Sequence, residues 1–262
     1  MKTIILCGGI GARLKEETEF KPKPMISIGD VPMLWHIMKH YAHFGHNQFV
    51  LTLGYKGHMI KDYFTTHNPD RFEMIFADTG ENSLTGARIL RAAAHITEDE
   101  FMVTYGDGVS TIDLDELVKF HRKQNTIGTI SGVHPSSKYG VLTIDANKNL
   151  VVNFEEKKPI LQDYVSGGYM IFRKEALKYF DESEFENGLI RLAKAGELSV
   201  HLHEGFWKPM DTYREMEELN ALWRKEKKWA IWEKSEKTKT EKKTERKTAK
   251  KVKKKIKQKI KK

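Results

Sequence analysis

The first structural signal is an apolar segment that runs into a glycine loop, Lys2-Thr3-Ile4-Ile5-Leu6-Cys7-Gly8-Gly9-Ile10-Gly11-Ala12-Arg13-Leu14. A short apolar run that is stopped by glycines is typical of a buried parallel strand. In an open α/β sheet, ligands bind beyond the carboxyl ends of the strands, which is where this loop would lie. The stretch therefore predicts the first strand of a parallel sheet, with a ligand site at its end.

Strands and helices alternate along the first half of the chain. A helix is expected after Pro32, where apolar residues recur at helical spacing, and a second strand is expected at Gln48–Leu53. After residue 125 the pattern becomes rich in β-strands, at 126–133, 140–144, 150–154 and 165–172. The fold class predicted is α/β: a Rossmann-like, mostly parallel sheet flanked by helices, with a smaller β-rich portion that covers one side of the site.

Charge divides the chain into two parts. Residues 234–262 contain 16 Lys or Arg and 3 Asp or Glu, whereas residues 1–233 contain 29 basic and 33 acidic side chains. This predicts one domain at 1–233 and a Lys-rich, disordered tail at 234–262. Because the basic charge belongs to the tail, we expect no specific binding of nucleic acid by the domain.

The tail leaves three interpretations open. It is a solubilising appendage, a salt-sensitive contact for polyanions, or a helix that lies on an anionic membrane surface. The membrane interpretation rests on Ala249, Val252, Ile256 and Ile260, which fall near one face of a helix among lysines. At the other end of the chain, no apolar run is long enough for a signal peptide, and the single Cys7 excludes an internal disulfide. We therefore expect a soluble, cytoplasmic protein.

The glycine loop carries the chemistry of a phosphate site. Gly8, Gly9 and Gly11 would let backbone N–H groups approach a phosphate, and Arg13 adds a guanidinium that can bind it through two hydrogen bonds. Lys23 lies between Pro22 and Pro24, which predict an extended, stiff segment that presents its ammonium to the same phosphates. The glycine spacing fits neither a P-loop nor a dinucleotide-binding loop. A tight turn beside an incidental arginine remains the alternative.

Three histidines lie on the helix predicted after Pro32. His36, His40 and His43 have the spacing i, i+4 and i+7 and would share one helix face. They would form either a zinc or nickel site or, more simply, a polar face opposite the apolar stripe.

The glycine loop, followed by Lys21-Pro22-Lys23-Pro24-Met25, resembles the signature of the sugar-1-phosphate nucleotidyltransferases, also called sugar-nucleotide pyrophosphorylases. Further similar motifs follow in order over residues 1 to 233. They are Gly54-Tyr55, Thr85-Gly86-x-Arg88, Tyr105-Gly106-Asp107-Gly108, Phe154-Glu155-Glu156-Lys157, Gly167-Gly168-Tyr169 and Phe206-Trp207-Lys208-Pro209-Met210-Asp211-Thr212. The resemblance is closest to the glucose-1-phosphate cytidylyltransferase branch.

The resemblance implies an enzyme that joins a nucleoside triphosphate, CTP in this branch, to a sugar-1-phosphate, here glucose-1-phosphate. The products are an NDP-sugar and pyrophosphate, and the cofactor is Mg²⁺. Arg13 and Lys23 would be the catalytic cations, and Asp107 and Asp211 would hold the metal. A simple turn at Asp107, and a role of Asp211 as the N-cap of a helix from Thr212 onward, remain the structural alternatives for the two aspartates.

The same resemblance implies two substrate subsites. The residues of the nucleotide subsite would be Leu6, Gly8, Gly9, Gly11, Arg13, Lys23, the turn at Thr85-Gly86, and Asp107. The residues of the sugar-phosphate subsite would be Gly140, Glu156, Lys157, Gly168 and Tyr169, with Tyr169 as a wall of the pocket.

Three questions stay open at this level. The segment between Phe64 and Asp78 is shorter than the corresponding segment of the cytidylyltransferases that the chain resembles. The identity of the nucleotide base and the presence of a homo-oligomer therefore stay undecided. Another nucleotide or phosphorylated acceptor could serve in the same chemistry. A non-catalytic protein that binds sugar nucleotides is the alternative from a different class.

Overall fold

The structure is a computed structural model, and it describes residues 1–137, 139, 141–145, 150–155, 160–161 and 163–233. The strands of these residues are β1 (Thr3–Leu6), β2 (Ser27–Ile28), β3 (Val31–Pro32), β4 (Gln48–Leu53), β5 (Glu73–Asp78), β6 (Glu100–Tyr105), β7 (Gly108–Ser110), β8 (Gly128–Val133), β9 (Val141–Asp145), β10 (Leu150–Glu155), β11 (Val165–Arg173), β12 (Leu198–His203) and β13 (Trp207–Pro209). Their pairing forms one seven-stranded sheet and three two-stranded ribbons among the described residues.

The helices connect these strands. They are α1 (Lys15–Thr18), α2 (Met33–His43), α3 (Gly57–Thr66), α4 (Thr85–Ala93), α5 (Leu114–Gln124), α6 (Phe185–Lys194) and α7 (Tyr213–Lys225). Short 3-10 turns occupy Ala12–Leu14, Lys23–Met25 and Lys174–Tyr179. None of the helices in the described part of the chain is long and apolar enough to cross a membrane.

The main sheet has seven strands in the order β12-β8-β11-β6-β1-β4-β5. All neighbours pair in parallel except β11, which runs antiparallel to both β6 and β8. The prediction of an α/β fold with a mostly parallel sheet is therefore confirmed.

Both faces of the sheet are covered by apolar side chains. Ile5 on β1 and Cys7 directly after it belong to one buried cluster, whereas Ile4 and Leu6 belong to the cluster on the opposite face. Side chains alternate across a strand, so a strand that is apolar at every position must lie between two packed layers. β1 lies between β6 and β4, so its carboxyl end and the glycine loop that follows it lie among the ends of the internal strands of the sheet.

The β-rich segment is organised differently from the prediction. β8 and β11 were expected to belong to a separate cover over the site, yet both lie inside the main sheet. β11 can occupy this place because its residues 167–172 are buried without alternation, as a central strand requires. Of the four strands in the predicted β-rich segment, β9 and β10 lie outside the main sheet and pair with each other as a two-stranded ribbon.

Two local predictions were wrong. The segment at Lys23 was expected to be extended, but Lys23–Met25 forms one 3-10 turn. Proline is tolerated in the first turn of a helix, where its missing N–H has no intrahelical partner, and Pro24 occupies that place. Thr85 and Gly86 were expected to form a turn, but they are the first two residues of α4.

The histidines of α2 do not form a polar face. His36 and His40 are buried, with relative exposures of 0% and 2%, and they extend the apolar side of the helix. The His36 ring is hydrogen-bonded through Nε2 to the carbonyl of Ile28 at 2.9 Å and accepts a bond from the Trp229 indole at 3.3 Å. Burial, the largest effect, lowers the pKa of His36 to about 4 and that of His40 to about 3. Among the described residues, no group of three or more His, Cys, Asp or Glu could hold a metal ion.

Candidate active site

A short antiparallel ribbon brings Asp107 and Asp211 together. β7 begins one residue after Asp107, β13 ends two residues before Asp211, and Gly108 is paired with Pro209. The Met210 amide also donates to the Asp107 carbonyl at 2.8 Å. Two carboxylates that lie far apart in the sequence therefore face the same space.

The ammonium of Lys23 lies between these carboxylates. Its Nζ donates to Asp107 Oδ2 at 2.6 Å and to Asp211 Oδ1 at 2.7 Å. The Lys23 side chain is only 13% exposed. Burial alone would lower the pKa of Lys23, but the Asp107 and Asp211 carboxylates outweigh it, and the net pKa is raised. The group is therefore a fixed, fully charged cation.

Backbone geometry at Gly11 lets Lys23 approach the glycine loop. Gly11 has φ of +68°, which side chains with a Cβ rarely adopt. A Cβ at Gly11 would also lie 2.9 Å from Thr18 Cγ2 and 3.1 Å from Lys23 Cβ. The glycine is thus needed both for the turn and for the close packing of the segment that carries Lys23.

Arg13 contacts one of these carboxylates, that of Asp211, from the solvent side. Its Nη1 lies 3.1 Å from Asp211 Oδ2, and its side chain is 73% exposed. The short 3-10 turn at Ala12–Leu14 places it just after the glycine loop. The structure therefore brings Arg13, Lys23, Asp107 and Asp211 together at the end of β1.

Arg88 also lies beside the glycine loop, although no role was predicted for it from its motif. Its side chain is 3% exposed and donates to the Leu53 carbonyl, the Thr79 hydroxyl and the Glu81 carbonyl. A Cβ at Gly8 would lie only 2.1 Å from Arg88 Nη1. The guanidinium thus packs directly against the backbone of the glycine loop. The motif Thr85-Gly86-x-Arg88 was the signal that could have indicated this contact.

Thr85 and Gly86 lie against the start of α6. The Thr85 hydroxyl donates to Glu184 at 2.8 Å and accepts from the Phe185 amide at 2.8 Å. A Cβ at Gly86 would lie 2.3 Å from the Asp181 carbonyl. These contacts give the pair a structural role at a helix–helix approach. Their predicted contact with the nucleotide stays a prediction.

The predicted sugar-phosphate residues fall into two groups. Gly168 lies on β11 with φ of +81°, and a Cβ there would lie 2.8 Å from the ring of Tyr105. Tyr169, expected to be a wall of the pocket, is 1% exposed and stacks on Tyr41 in the core, with ring centroids 5.7 Å apart. Its side chain is buried because β11 is an internal strand of the main sheet, whose residues 167–172 are buried without alternation. Gly140, Glu156 and Lys157 lie outside the described residues, as does the tail at 234–262.

Leu6 and Gly9 complete the predicted nucleotide subsite. Leu6 is the last residue of β1 and is 9% exposed. A Cβ added at Gly9 would meet no atom within 4 Å, so the outer side of the loop is open.

A cavity of about 990 Å³ adjoins the site at Asp211. Its lining includes Trp207, Pro209 and Glu215 together with the loop at 134–137, and it extends along α7 to Lys228. A cavity that borders one of the two carboxylates offers space for a second substrate next to the charged cluster.

Comparison with known proteins identifies the family of the chain. Residues 2–212 match the family model described as Nucleotidyl transferase. The chain is 36% identical over 259 residues to a Salmonella typhi protein named glucose-1-phosphate cytidylyltransferase, with 89% of this chain and 100% of that protein covered. It is 31% identical over 183 residues to the D-glycero-alpha-D-manno-heptose 1-phosphate guanylyltransferase of Campylobacter jejuni subsp. jejuni, covering 69% of this chain and 79% of that protein.

Solved structures support the fold alone. The crystal structure of a UDP-glucose pyrophosphorylase complexed with UDP-glucose is similar with a TM-score of 0.67 at 16% identity, covering 86% of this chain and 98% of the other. The family match and the full-length relatives confirm the resemblance on which the sequence analysis relied. The chain therefore belongs to the Nucleotidyl transferase family and is a nucleotidyltransferase.

Proposed function

We propose that this enzyme transfers the cytidylyl group of CTP to glucose-1-phosphate, forming CDP-glucose and pyrophosphate. One observation carries the proposal: Arg13, Lys23, Asp107 and Asp211 form a single charged cluster beside the glycine loop. The choice of CTP and glucose-1-phosphate is supported by the match to the Salmonella typhi protein of that name, which covers its whole length.

The main obstacle to this reaction is electrostatic. A sugar phosphate must approach a triphosphate, and two unit charges of like sign at 4 Å repel by about 4 kcal/mol at an effective dielectric of 20. The exposed guanidinium of Arg13 can bind phosphate oxygens in pairs, and the ammonium of Lys23 supplies a fixed point charge. Catalysis would therefore consist of positioning and charge neutralisation, with no covalent enzyme intermediate.

The carboxylate pair fits Mg²⁺. Magnesium takes oxygen ligands, commonly one or two carboxylates with substrate phosphates and water. Asp107 and Asp211 already direct oxygens at one shared cation, the Lys23 ammonium. In our proposal these two residues hold the metal, which would offset the charge of the triphosphate and the leaving pyrophosphate. Lys23 then donates to a phosphate oxygen instead of to the carboxylates, which keeps every charged group of the cluster paired.

Pyrophosphate release across a grid of substrates tests the proposal. CTP, UTP, GTP, ATP and dTTP would each be paired with glucose-1-phosphate, mannose-1-phosphate and glucosamine-1-phosphate, with Mg²⁺ and with EDTA. We expect the highest kcat/KM for CTP with glucose-1-phosphate, by about tenfold or more, since a base-specific site commonly distinguishes by at least 1.4 kcal/mol. Lys23→Ala should abolish the signal.

The outcomes separate the alternatives. A higher kcat/KM for another pair would retain the chemistry and overturn the substrates that we propose. Tight binding of CDP-glucose with no turnover of any pair would indicate a binding protein. Full activity in EDTA would overturn the role of the metal.

A further inference from the structure

We propose that Glu215 is a positioning residue that holds Asp211 in the orientation needed to bind the metal. The inference rests on the proposed function, because it assumes that Asp211 is a metal ligand. Glu215 lies in the first turn of α7 and was not among the residues that the sequence analysis assigned to the site.

One carboxylate oxygen of Glu215 collects three hydrogen bonds from the segment that carries Asp211. Oε2 accepts from the Asp211 amide at 2.8 Å, from the Thr212 amide at 2.9 Å and from the Thr212 hydroxyl at 3.1 Å. In return, the Glu215 amide donates to the Thr212 hydroxyl at 3.3 Å. The bonds with Thr212 form a capping box, which by itself only stabilises the start of a helix.

The bond to the Asp211 amide goes beyond the capping box. It fixes the residue that precedes the N-cap, and this residue is also tied on its other side, because the Met210 amide donates to the Asp107 carbonyl. The backbone of Asp211 is thus held between Glu215 and Asp107. An aspartate side chain has only two rotatable bonds, so fixing its backbone restricts its carboxylate to a few staggered positions.

This restraint matters because Mg²⁺ demands near-ideal geometry from its ligands. Groups that orient a metal ligand through hydrogen bonds commonly contribute 10- to 100-fold to metal affinity. Without Glu215, the Asp211 carboxylate would keep its chemistry but lose its fixed direction. We therefore expect the loss to appear in metal affinity more than in the chemical step at saturating metal.

The test compares three variants. Glu215→Ala removes the acceptor, and Glu215→Gln keeps an acceptor oxygen without the charge. Asp113→Ala is the matched control, because the Asp113 side chain caps α5 by accepting from the Glu116 amide at 3.0 Å and is not part of the charged cluster. Mn²⁺ binding would be measured by electron paramagnetic resonance in the presence of α,β-methylene CTP, alongside the melting temperature and the Mg²⁺ dependence of turnover.

We expect Glu215→Ala to raise the Mn²⁺ dissociation constant about tenfold or more, with kcat largely recovered at saturating Mg²⁺. Glu215→Gln should stay within about threefold of wild type in Mn²⁺ affinity, because its oxygen still accepts from the Asp211 amide. Asp113→Ala should lower the melting temperature without changing Mn²⁺ affinity.

Three results would overturn the inference. The first is an unchanged Mn²⁺ affinity in Glu215→Ala. The second is a loss of Mn²⁺ affinity in Asp113→Ala that equals the loss in Glu215→Ala. The third is a loss of Mn²⁺ affinity in Glu215→Gln as large as that in Glu215→Ala, which would indicate a direct role of the Glu215 charge. Wild-type turnover with any of these results would leave the proposed function standing. Absence of both Mn²⁺ binding and turnover in the wild type would overturn the two together.

Discussion

Lys23 Nζ lies 2.6 Å from Asp107 Oδ2, although 84 residues separate the two in the chain. The same ammonium also binds Asp211. A cation that holds two acidic side chains together is able to stabilise the site before substrates arrive. In the function that we propose, the same ammonium would contact phosphate once the carboxylates take another partner.

Replacement of Lys23 by methionine should separate its two roles. Without the ammonium, Asp107 and Asp211 would repel each other, and we expect the free energy of unfolding to fall by about 1–3 kcal/mol. Mg²⁺ should then raise the melting temperature of Lys23→Met more than that of the wild type, because it restores a cation between the carboxylates. Turnover should fall at least 100-fold even with Mg²⁺, since removing one charged transition-state donor commonly costs about that much.

Thermal unfolding with and without Mg²⁺ measures the first effect, and pyrophosphate release measures the second. If Mg²⁺ shifts the melting temperatures of the variant and the wild type equally, the carboxylates do not share a cation site.

Replacement of Arg13 by alanine should affect activity without affecting stability. The Arg13 side chain is 73% exposed, and exposed ion pairs contribute only about 0–1 kcal/mol. We expect the melting temperature to change little, while kcat/KM falls by about 100-fold or more because a phosphate donor is lost. Melting curves and initial rates on the same preparations would show this.

Arg122→Ala is the matched control for Arg13. Arg122 is 60% exposed and pairs with Glu100 in a similar way, but it lies outside the charged cluster. Both its stability and its activity should stay near wild type. A loss of activity in Arg122→Ala as large as that in Arg13→Ala would contradict a specific role for Arg13.

An alanine at Gly8 should destabilise the protein, whereas an alanine at Gly9 should not. The new Cβ at Gly8 would meet the buried guanidinium of Arg88, which three hydrogen bonds hold in place. We expect a loss of about 1–3 kcal/mol, typical of overpacking. Gly9 has open space around its Cβ position, so Gly9→Ala should melt within about 2 °C of wild type. Equal melting temperatures for the two variants would mean that the Arg88 side chain can move away from the new Cβ without a loss of stability.

The free energy of unfolding should decrease as the pH falls below about 6.5. The pKa of buried His36 is lowered from 6.5 to about 4, so the unfolded chain takes up a proton first as the pH falls through this window. Above pH 6.5 both states are neutral and the effect vanishes. Below pH 4 the loss from His36 alone is roughly 3 kcal/mol, and His40 adds to it in the same direction.

Urea unfolding between pH 7.5 and 5 would measure this slope through tryptophan fluorescence, since the His36 ring lies 4.5 Å from Trp223. His36→Gln should reduce the slope, because an amide does not titrate in this range. The exposed His58 provides the control, and His58→Gln should leave the slope unchanged. A slope that persists undiminished in His36→Gln would assign the effect to other groups.

Several features were predictable because they depend on neighbouring residues. The bounds of β4 agree with the predicted strand at Gln48–Leu53, since apolar strand-forming residues end there at a glycine turn. The helix after Pro32 begins at Met33, as proline placement suggests. The ordered motifs indicated Arg13, Lys23, Asp107 and Asp211 without any knowledge of their distances.

Other features could not be predicted because they depend on which surfaces meet. Spacing placed His36 and His40 on one helix face, but His36 packs against Trp229 and His40 packs against Tyr169, so both are buried. Likewise, Tyr169 is buried because β11 is an internal strand of the main sheet. The position of a strand within a sheet depends on its pairing with distant segments, which local composition does not determine.

The sequence by itself therefore predicted the mostly parallel α/β sheet, individual strands such as β1 and β4, and the glycine loop at the end of β1, and its motifs singled out four charged residues. Only the tertiary structure decided that Asp107 and Asp211 share one cation, that Arg88 lies beneath Gly8, and that Glu215 binds the Asp211 amide. The reason is that hydrophobic periodicity acts over a few residues, whereas these contacts join segments brought together by the pairing of β7 with β13 and by the packing of helices on the sheet.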